Sequence, residues 1–296
     1  FAGGDEECGS SCLEHYAKDH PAPTYGFTPD SKFPIVYGEK GIDNVVIKKE
    51  VNFNHISSIK AGNATNIVIS EATFKVDNLD EIKEKIKTPH QIHDDEITFI
   101  GVAAHGSTPE LGKNAFLLGL HELGEINHDE EAIRLSEAFL DYSGKKLNAY
   151  AHTEHLSDTT YNVGIVEYKN KTLLLKINFR YPEKPEPDTL INQMAKTINA
   201  HVEHVDRSPC LLHDLNSPLV SSLLDAYRSE TGDKTAPLTS GGGTYAKEIK
   251  NTIAFGAEFP NANYKMHEID EYIPQKDLLQ AMSVYAHAIY NLIHKK

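Results

Sequence analysis

The sequence predicts an α/β protein in which one α/β domain is interrupted by a long α+β insert. Strand-like segments rich in β-branched residues alternate with amphipathic helical segments along the 296 residues. The predicted secondary-structure pattern changes near residue 45, where closely spaced strands begin. Helices and glycine-rich loops return after residue 209. We therefore predict a catalytic-type domain in two pieces, 1–43 and 210–296, around an inserted lid domain at 44–209.

The first piece is predicted to contain a short helix and the end of an aromatic strand. Residues 11–20 form the helix, and Pro21 ends it because proline cannot continue a helix. An aromatic strand end then leads into the Pro-Asp turn at Asp30, and the segment 33–38 follows.

The insert is predicted to contain two α+β units side by side. Its strands are predicted at 45–51, 65–76, 96–102, 162–168 and 172–181. Its helices are predicted at 78–87, 107–123, 129–142 and 188–205. The stretches Asn66–Ile86 and Thr172–Ile198 echo one another, because each reads as an apolar strand, a polar turn and an amphipathic helix.

The second piece is predicted to begin with a helix from Pro218 to the glycine at 232. A glycine-rich loop at 240–245, the segment 252–259, an acidic loop at 267–272 and a final helix at 276–293 complete it.

Composition excludes some classes of function. The formal charge of -14 argues against nucleic acid, whose phosphates would be repelled. No apolar run reaches the roughly 18–20 residues that a membrane span requires, so we expect no membrane partner. Three cysteines do not form an even disulfide framework, which favours a reducing, cytoplasmic compartment.

The three adjacent carboxylates Asp5, Glu6 and Glu7 are the first candidate site. Like charges on neighbouring residues repel unless solvent or a cation offsets them. The cluster is therefore either a solvated acidic turn or a site where one carboxylate binds a metal and its neighbour moves protons.

Other candidates also have a structural and a functional interpretation. Asp30 is either a turn residue or a ligand, and His267 is either a solvated side chain in an acidic loop or a ligand. The glycines Gly241, Gly242 and Gly243 form either a flexible turn or a backbone that approaches a ligand closely. They lack the ending of a phosphate-binding loop.

Two further candidates lie in the insert. His105 precedes a predicted helix N-terminus, where exposed backbone donors would disfavour the charged imidazole. Arg180 ends an apolar strand. Its guanidinium either faces water or binds a carboxylate through two parallel hydrogen bonds.

Taken in order, these motifs resemble the M20 family of metallopeptidases, and within it the PepV-type Xaa-His dipeptidase branch. The matching pieces are G-D-E-E at 4–7, G-F-T-P-D at 26–30, F-P-I at 33–35, E-K-G at 39–41, A-H-G-S-T-P-E at 104–110, N-F-R-Y-P at 178–182, S-G-G-G-T-Y-A at 240–246 and H-E-I-D-E-Y-I at 267–273. The resemblance implies a zinc-peptidase-type catalytic domain, of which this chain is the C-terminal portion, with an inserted two-unit lid.

The resemblance implies roles at the metal centre. Glu6 would be the general base, and Glu7, Asp30 and His267 would be metal ligands. Two divalent metal ions are expected, zinc first, with manganese or cobalt as alternatives. The family also takes an H-x-D histidine and a bridging aspartate from an N-terminal segment, so we expect the chain as given to lack part of the ligand set and to be inactive alone.

The resemblance also implies roles in substrate binding. His105 and Asn66 would stabilise the oxyanion, although the family's N-M-V-P run reads Asn66-Ile-Val-Ile69 here. Arg180 would bind the C-terminal carboxylate of a dipeptide, with the Gly241–Gly243 loop nearby. A monomer is expected, because two units in one lid can imitate a dimer.

Two alternatives stay open. One is an N-acyl amino-acid deacylase or desuccinylase of the same family, although such enzymes have shorter lids. The other is a non-catalytic fragment that only binds peptides.

Overall fold

A computed structural model of the chain describes residues 3–4, 11–265 and 269–294. The chain divides into two compact units, one formed by Phe1–Lys40 with Pro209–Lys296 and the other by Gly41–Ser208. The second unit begins at Gly41 because the long strand that starts there pairs with Tyr181 from its first residue.

The strands are, in chain order, β1 (Gly26–Thr28), β2 (Ser31–Lys32), β3 (Val36–Glu39), β4 (Gly41–Glu50), β5 (Ile56–Ala61), β6 (Glu71–Val76), β7 (His90–His93), β8 (Glu96–Ile100), β9 (His152–Thr153), β10 (Ser157–Asp158), β11 (Thr160–Lys169), β12 (Thr172–Tyr181), β13 (His201–Ser208), β14 (Leu211–Leu212), β15 (Leu238–Ser240), β16 (Thr252–Ala254) and β17 (Ala257–Glu258).

The α-helices are α1 (Ser11–Asp19), α2 (Leu79–Ile82), α3 (Ala115–Asn127), α4 (Glu130–Leu140), α5 (Pro187–Thr197), α6 (Pro218–Thr231) and α7 (Gln275–His294). Short 3-10 turns occur at Lys83–Lys85, Pro109–Leu111 and Tyr245–Lys247. Within the described ranges, no helix is both long enough and apolar enough to span a bilayer.

The first unit is a small mixed sheet beside two packed helices. The sheet has the order β1-β16-β3-β14, with β15 added parallel to β3. Its apolar side chains join α6 and α7 in one core, where Phe33 stacks on Tyr227 at a centroid distance of 5.0 Å. Phe27 of β1, the strand that leads into the Asp30 turn, packs against this core.

The second unit is one antiparallel sheet of eight strands in the order β13-β4-β12-β11-β5-β6-β8-β7. The strand–helix pairs β6–α2 and β12–α5, which correspond to the two sequence stretches that echo one another, belong to opposite halves of this sheet. Alternate residues of the central strands, such as Ile177 and Phe179, pack into the core shared with α3, α4 and α5. Their neighbours along β11 and β12 therefore face away from that core.

Several predicted elements differ from the structure. The predicted helix at 188–205 ends at Thr197, and its last part is strand β13, which pairs with β4. The predicted strand at 65–76 begins only at Glu71, because residues before it leave the sheet as a loop. Asn78 makes no side-chain cap and α2 is a single turn, whereas Asp129 does cap α4 through the backbone N–H groups of Glu131 and Ala132.

Candidate functional site

The first unit carries the candidate metal ligand Asp30 and the glycine-rich loop. Asp30 is exposed in the turn between β1 and β2. Gly241, Gly242 and Gly243 follow β15, and the Gly242 N–H donates to Ser240 Oγ at 3.0 Å. Three other predicted site residues, Glu6, Glu7 and His267, lie outside the described residues, as does Asp5.

The glycine-rich loop is anchored at both ends to β3. At its start, Ser240 pairs with Glu39, and the Lys40 N–H donates to Ser240 O at 3.0 Å. At its end, the hydroxyl and the backbone N–H of Thr244 donate to the two carboxylate oxygens of Glu39, at 2.8 and 3.1 Å. The Thr244 hydroxyl also accepts from the Ala246 N–H, so both of its hydrogen-bonding roles are used.

Glu39 is a functional candidate that sequence reasoning did not single out. Its side chain is fully buried, and burial raises the pKa of its carboxyl above the ordinary value. The hydrogen bonds from Thr244 and the charge of Lys247 act in the opposite direction, while the Asp30 carboxylate raises the pKa further. The only sequence signal was its place in E-K-G at 39–41.

We expect Thr244→Val to destabilise the protein by about 1–3 kcal/mol, because a buried carboxylate loses a hydrogen bond while the side-chain shape is kept. Urea denaturation measures this change, and Thr244→Ser should restore most of the loss. Thr235→Val is the matched control, since its hydroxyl bonds Asp233 at an exposed position. Equal effects of the two valine variants would contradict an anchoring role for Thr244.

The second unit brings Asn66 and His105 onto adjacent segments. Ile67 and His105 form an isolated antiparallel bridge. The Gly106 N–H donates to Asn66 O at 2.6 Å, and the Val68 N–H donates to Ala104 O at 2.9 Å. Two residues that are 39 positions apart in the printed sequence therefore occupy one small exposed surface.

Close backbone contact keeps these two segments together. A Cβ atom on Gly106 would come within 3.0–3.1 Å of the Asn66 backbone, so a side chain there would push the segments apart. His105 O accepts from the Thr108 N–H at 3.0 Å, which closes a turn. The expected helix does not follow directly: only the 3-10 turn Pro109–Leu111 comes next, so a helix dipole cannot act on His105.

Asn162 of β11 fastens the Asn66 segment to the sheet. Its side-chain amide donates to Thr65 O at 2.8 Å and to Ile67 O at 3.0 Å, which are the carbonyls on either side of Asn66. The side chain is fully buried. Gly164, at a bulge in β11, allows the approach, since a Cβ atom there would lie 2.3 Å from Thr65 O.

Arg180 lies on the same face of the sheet and is 3% exposed. Burial lowers the pKa of its guanidinium to about 10, so it stays charged at neutral pH. Its Nε donates to Asn178 Oδ1 at 2.9 Å, and Asn178 in turn donates to Asn44 Oδ1 at 3.0 Å.

The candidate residues of the second unit are linked through two asparagines. Asn178 stands directly opposite Asn162 in the β11–β12 pairing. Asn162 holds the Asn66 segment and Asn178 holds Arg180, so the oxyanion candidates and the carboxylate candidate share one polar face. Sequence reasoning missed both asparagines; the signal for them was their polarity on otherwise apolar strands.

We expect Asn162→Asp to lower kcat about 10-fold, as is typical for residues that orient an active group. The replacement has the same shape, but its oxygens would face two carbonyl oxygens and repel them. Faster hydrogen exchange at the Val68 and Gly106 amides should accompany the loss. Asn170→Asp, in the exposed β11–β12 turn, makes the same charge change and should leave kcat and both amides unaltered.

The part of the chain that the structure describes contains no complete cluster of metal-binding side chains. There, no group of three or more His, Cys, Asp and Glu residues is arranged to hold an ion. Of the predicted ligands, only Asp30 belongs to that part.

Comparison with known proteins gives several relatives. The protein named "Putative dipeptidase SH1171" from Staphylococcus haemolyticus (strain JCSC1435) is 34% identical over 322 residues, covering 98% of this chain and 68% of its own length. The protein named "Putative dipeptidase SAB1611c" from Staphylococcus aureus (strain bovine RF122 / ET3-1) is 33% identical over 320 residues, with the same coverage of both chains.

Solved structures share the fold at low sequence identity. The aminopeptidase PepT from Bacillus cereus ATCC 10987 aligns with a TM-score of 0.50 at 14% identity, over 97% of this chain and 62% of its own. The aminoacylhistidine dipeptidase from Vibrio alginolyticus aligns with a TM-score of 0.50 at 13% identity, over 92% and 66%. The chain thus spans just under two thirds of the length of these structures.

A family model agrees with these relatives and with the mixed α/β fold. It is described as peptidase family M20/M25/M40, and it matches residues 1–291. The chain belongs to this peptidase family.

Proposed function

We propose that the protein is a metal-dependent dipeptidase, which hydrolyses the peptide bond of dipeptides with water and a glutamate general base. The observation that carries the proposal is that the segments of Asn66 and His105 pair with each other, on the same sheet face as a buried arginine. Family membership supports a peptide hydrolase, and the staphylococcal relatives are named dipeptidases. The PepV-type resemblance of the motifs supports the preference for dipeptides.

The predicted donor set suits divalent metal ions. Glu7 and Asp30 provide carboxylates and His267 provides an imidazole, a combination that fits zinc and also manganese or cobalt. Asp30 is exposed, so its oxygens are accessible to an ion from solvent. A bound pair of ions would supply Lewis acidity, which makes water acidic enough to ionise near neutral pH and polarises a carbonyl oxygen.

The chain's own residues would then move the protons and stabilise the developing charge. Glu6 would take a proton from the attacking water and deliver it to the leaving amine. His105 and Asn66 would donate hydrogen bonds to the carbonyl oxygen as it becomes negative. The bridge between Ile67 and His105, together with the hydrogen bond from the Gly106 N–H to Asn66 O, would hold the two backbone segments together before substrate binds.

Arg180 would select substrates with a free C-terminal carboxylate. A charged guanidinium in a poorly solvated position gains strongly from a carboxylate that pairs with it. The Gly241–Gly243 loop, which has no side chains beyond hydrogen, would allow close approach of the substrate backbone. Together these features would favour dipeptides over longer peptides.

The same proposal includes a cytoplasmic monomer. The three cysteines make no even disulfide framework, which favours a reducing compartment. The two strand–helix units already share one sheet, so a second copy is not needed to complete the lid.

The test is substrate profiling of the complete protein, stripped of metal and reloaded separately with zinc, manganese or cobalt. We expect hydrolysis of dipeptides, little hydrolysis of C-terminally amidated dipeptides, and loss of activity on chelation. Hydrolysis of N-acyl amino acids in preference to dipeptides would establish the deacylase alternative. Binding of dipeptides without hydrolysis under every metal would establish a non-catalytic peptide-binding protein.

A further inference from the structure

Ser107 contacts one ring nitrogen of His105 twice. The Ser107 hydroxyl lies 2.6 Å from His105 Nδ1, and the Ser107 backbone N–H donates to the same nitrogen at 3.4 Å. Both contacts arise within the turn that the Thr108 N–H closes onto His105 O. The backbone therefore holds these donors toward the ring.

These two contacts differ in what they permit. A hydroxyl can donate or accept, and by itself it would leave the imidazole tautomer open. A backbone N–H can only donate, so the nitrogen that it faces must present its lone pair. In the neutral ring, the single proton then belongs on the other nitrogen, Nε2.

We propose that Ser107 is a positioning residue that holds neutral His105 in the Nε2–H tautomer. The hydroxyl donates to Nδ1 beside the backbone N–H and orients the ring. Gly106, packed against Asn66, fixes where the turn begins. The Ser107 contacts thus replace the helix dipole that the sequence suggested as the influence on this histidine.

The consequence for catalysis rests on the proposed function. A ring whose proton is on Nε2 can donate to an oxyanion while remaining neutral, and so it need not be protonated beforehand. With the proton on Nδ1, the same ring would present a lone pair from Nε2 to the developing negative charge and would repel it. Holding one tautomer therefore converts His105 into a dedicated donor.

The direct test is nitrogen NMR of the complete protein labelled with 15N-histidine, at a pH where the ring is neutral. His105→Gln identifies the His105 signals by their loss. We expect wild type and Ser107→Thr to show an unprotonated Nδ1 and a protonated Nε2. In Ser107→Ala the 2.6 Å hydroxyl contact is lost and only the longer backbone N–H contact at 3.4 Å remains, so both nitrogen signals should shift part of the way toward the average of the two tautomers. A protonated Nδ1 in wild type, or an unchanged spectrum in Ser107→Ala, would overturn the proposal.

Kinetics give a second measurement on the same variants. We expect Ser107→Ala to lower kcat about 10-fold with little change in KM, and Ser107→Thr to recover most of it. Ser57→Ala, which removes an exposed hydroxyl from β5, is the matched control and should have no effect. A wild-type protein without peptidase activity would overturn the proposed function, while the ring spectrum would still decide the tautomer.

Discussion

Replacing Glu6 by alanine is expected to lower kcat by about 10²–10⁴-fold, the contribution usually made by a positioned general base. Bound metal should be unchanged, because the neighbouring Glu7 is the proposed ligand. Two adjacent glutamates can have separate roles because successive side chains leave the backbone in different directions. The measurements are steady-state kinetics and metal analysis of the complete protein.

Glu7→Ala is the companion variant for this experiment. It should lose both metal and activity, because a site without one of its ligands binds its ion more weakly and the proposed reaction requires the bound ion. Loss of metal from Glu6→Ala, with metal retained in Glu7→Ala, would exchange the two assignments. Loss of activity from both variants with full metal content would leave neither glutamate as a ligand.

Arg180→Ala is expected to raise KM for dipeptides about 10- to 100-fold. A hydrogen bond to a charged group contributes about 1.5–3 kcal/mol, and each 1.4 kcal/mol changes an equilibrium tenfold. Dipeptides with an amidated C-terminus should be little affected, because they offer no carboxylate. Comparing KM for free and amidated forms of one dipeptide measures the effect.

Two further variants separate carboxylate recognition from a general loss of structure. Arg180→Lys keeps the charge but cannot bind a carboxylate in the bidentate geometry of arginine. Its KM for dipeptides should therefore lie between those of Arg180→Ala and wild type. Arg134→Ala removes an exposed arginine that pairs with Glu131 in the same unit, and KM should not change. Equal losses on free and amidated dipeptides in Arg180→Ala would show that the residue supports the fold rather than the substrate.

Sequence patterns predicted helices and strands correctly where interactions between neighbouring residues stabilise the element. The helix at 129–142 was confirmed as α4 because its cap, Asp129, bonds to amides two and three residues ahead. The predicted strand at 172–181 matches β12, in which Leu173, Leu175, Ile177 and Phe179 place an apolar side chain at every second position.

Prediction failed where pairing with distant strands decided the structure. Residues 201–205 were predicted as the end of a helix, but they belong to β13, which pairs with β4, a strand more than 150 positions earlier in the sequence. The loop before Glu71 was likewise assigned to a strand, although it crosses to the His105 segment and to Asn162. The sequence near these two segments gives no indication of the distant residues with which they pair.

The proposed site residues also divide into those that the sequence identified and those whose partners only the tertiary structure showed. The sequence by itself determined the family and the set of candidate acids, imidazoles and glycines, because their types and order are properties of the chain alone. Only the tertiary structure decided what holds them: Glu39 lies 205 residues from Thr244, and Asn162 lies 97 residues from Thr65. The physical reason is that a buried polar group must find its partner wherever folding brings one within hydrogen-bonding distance.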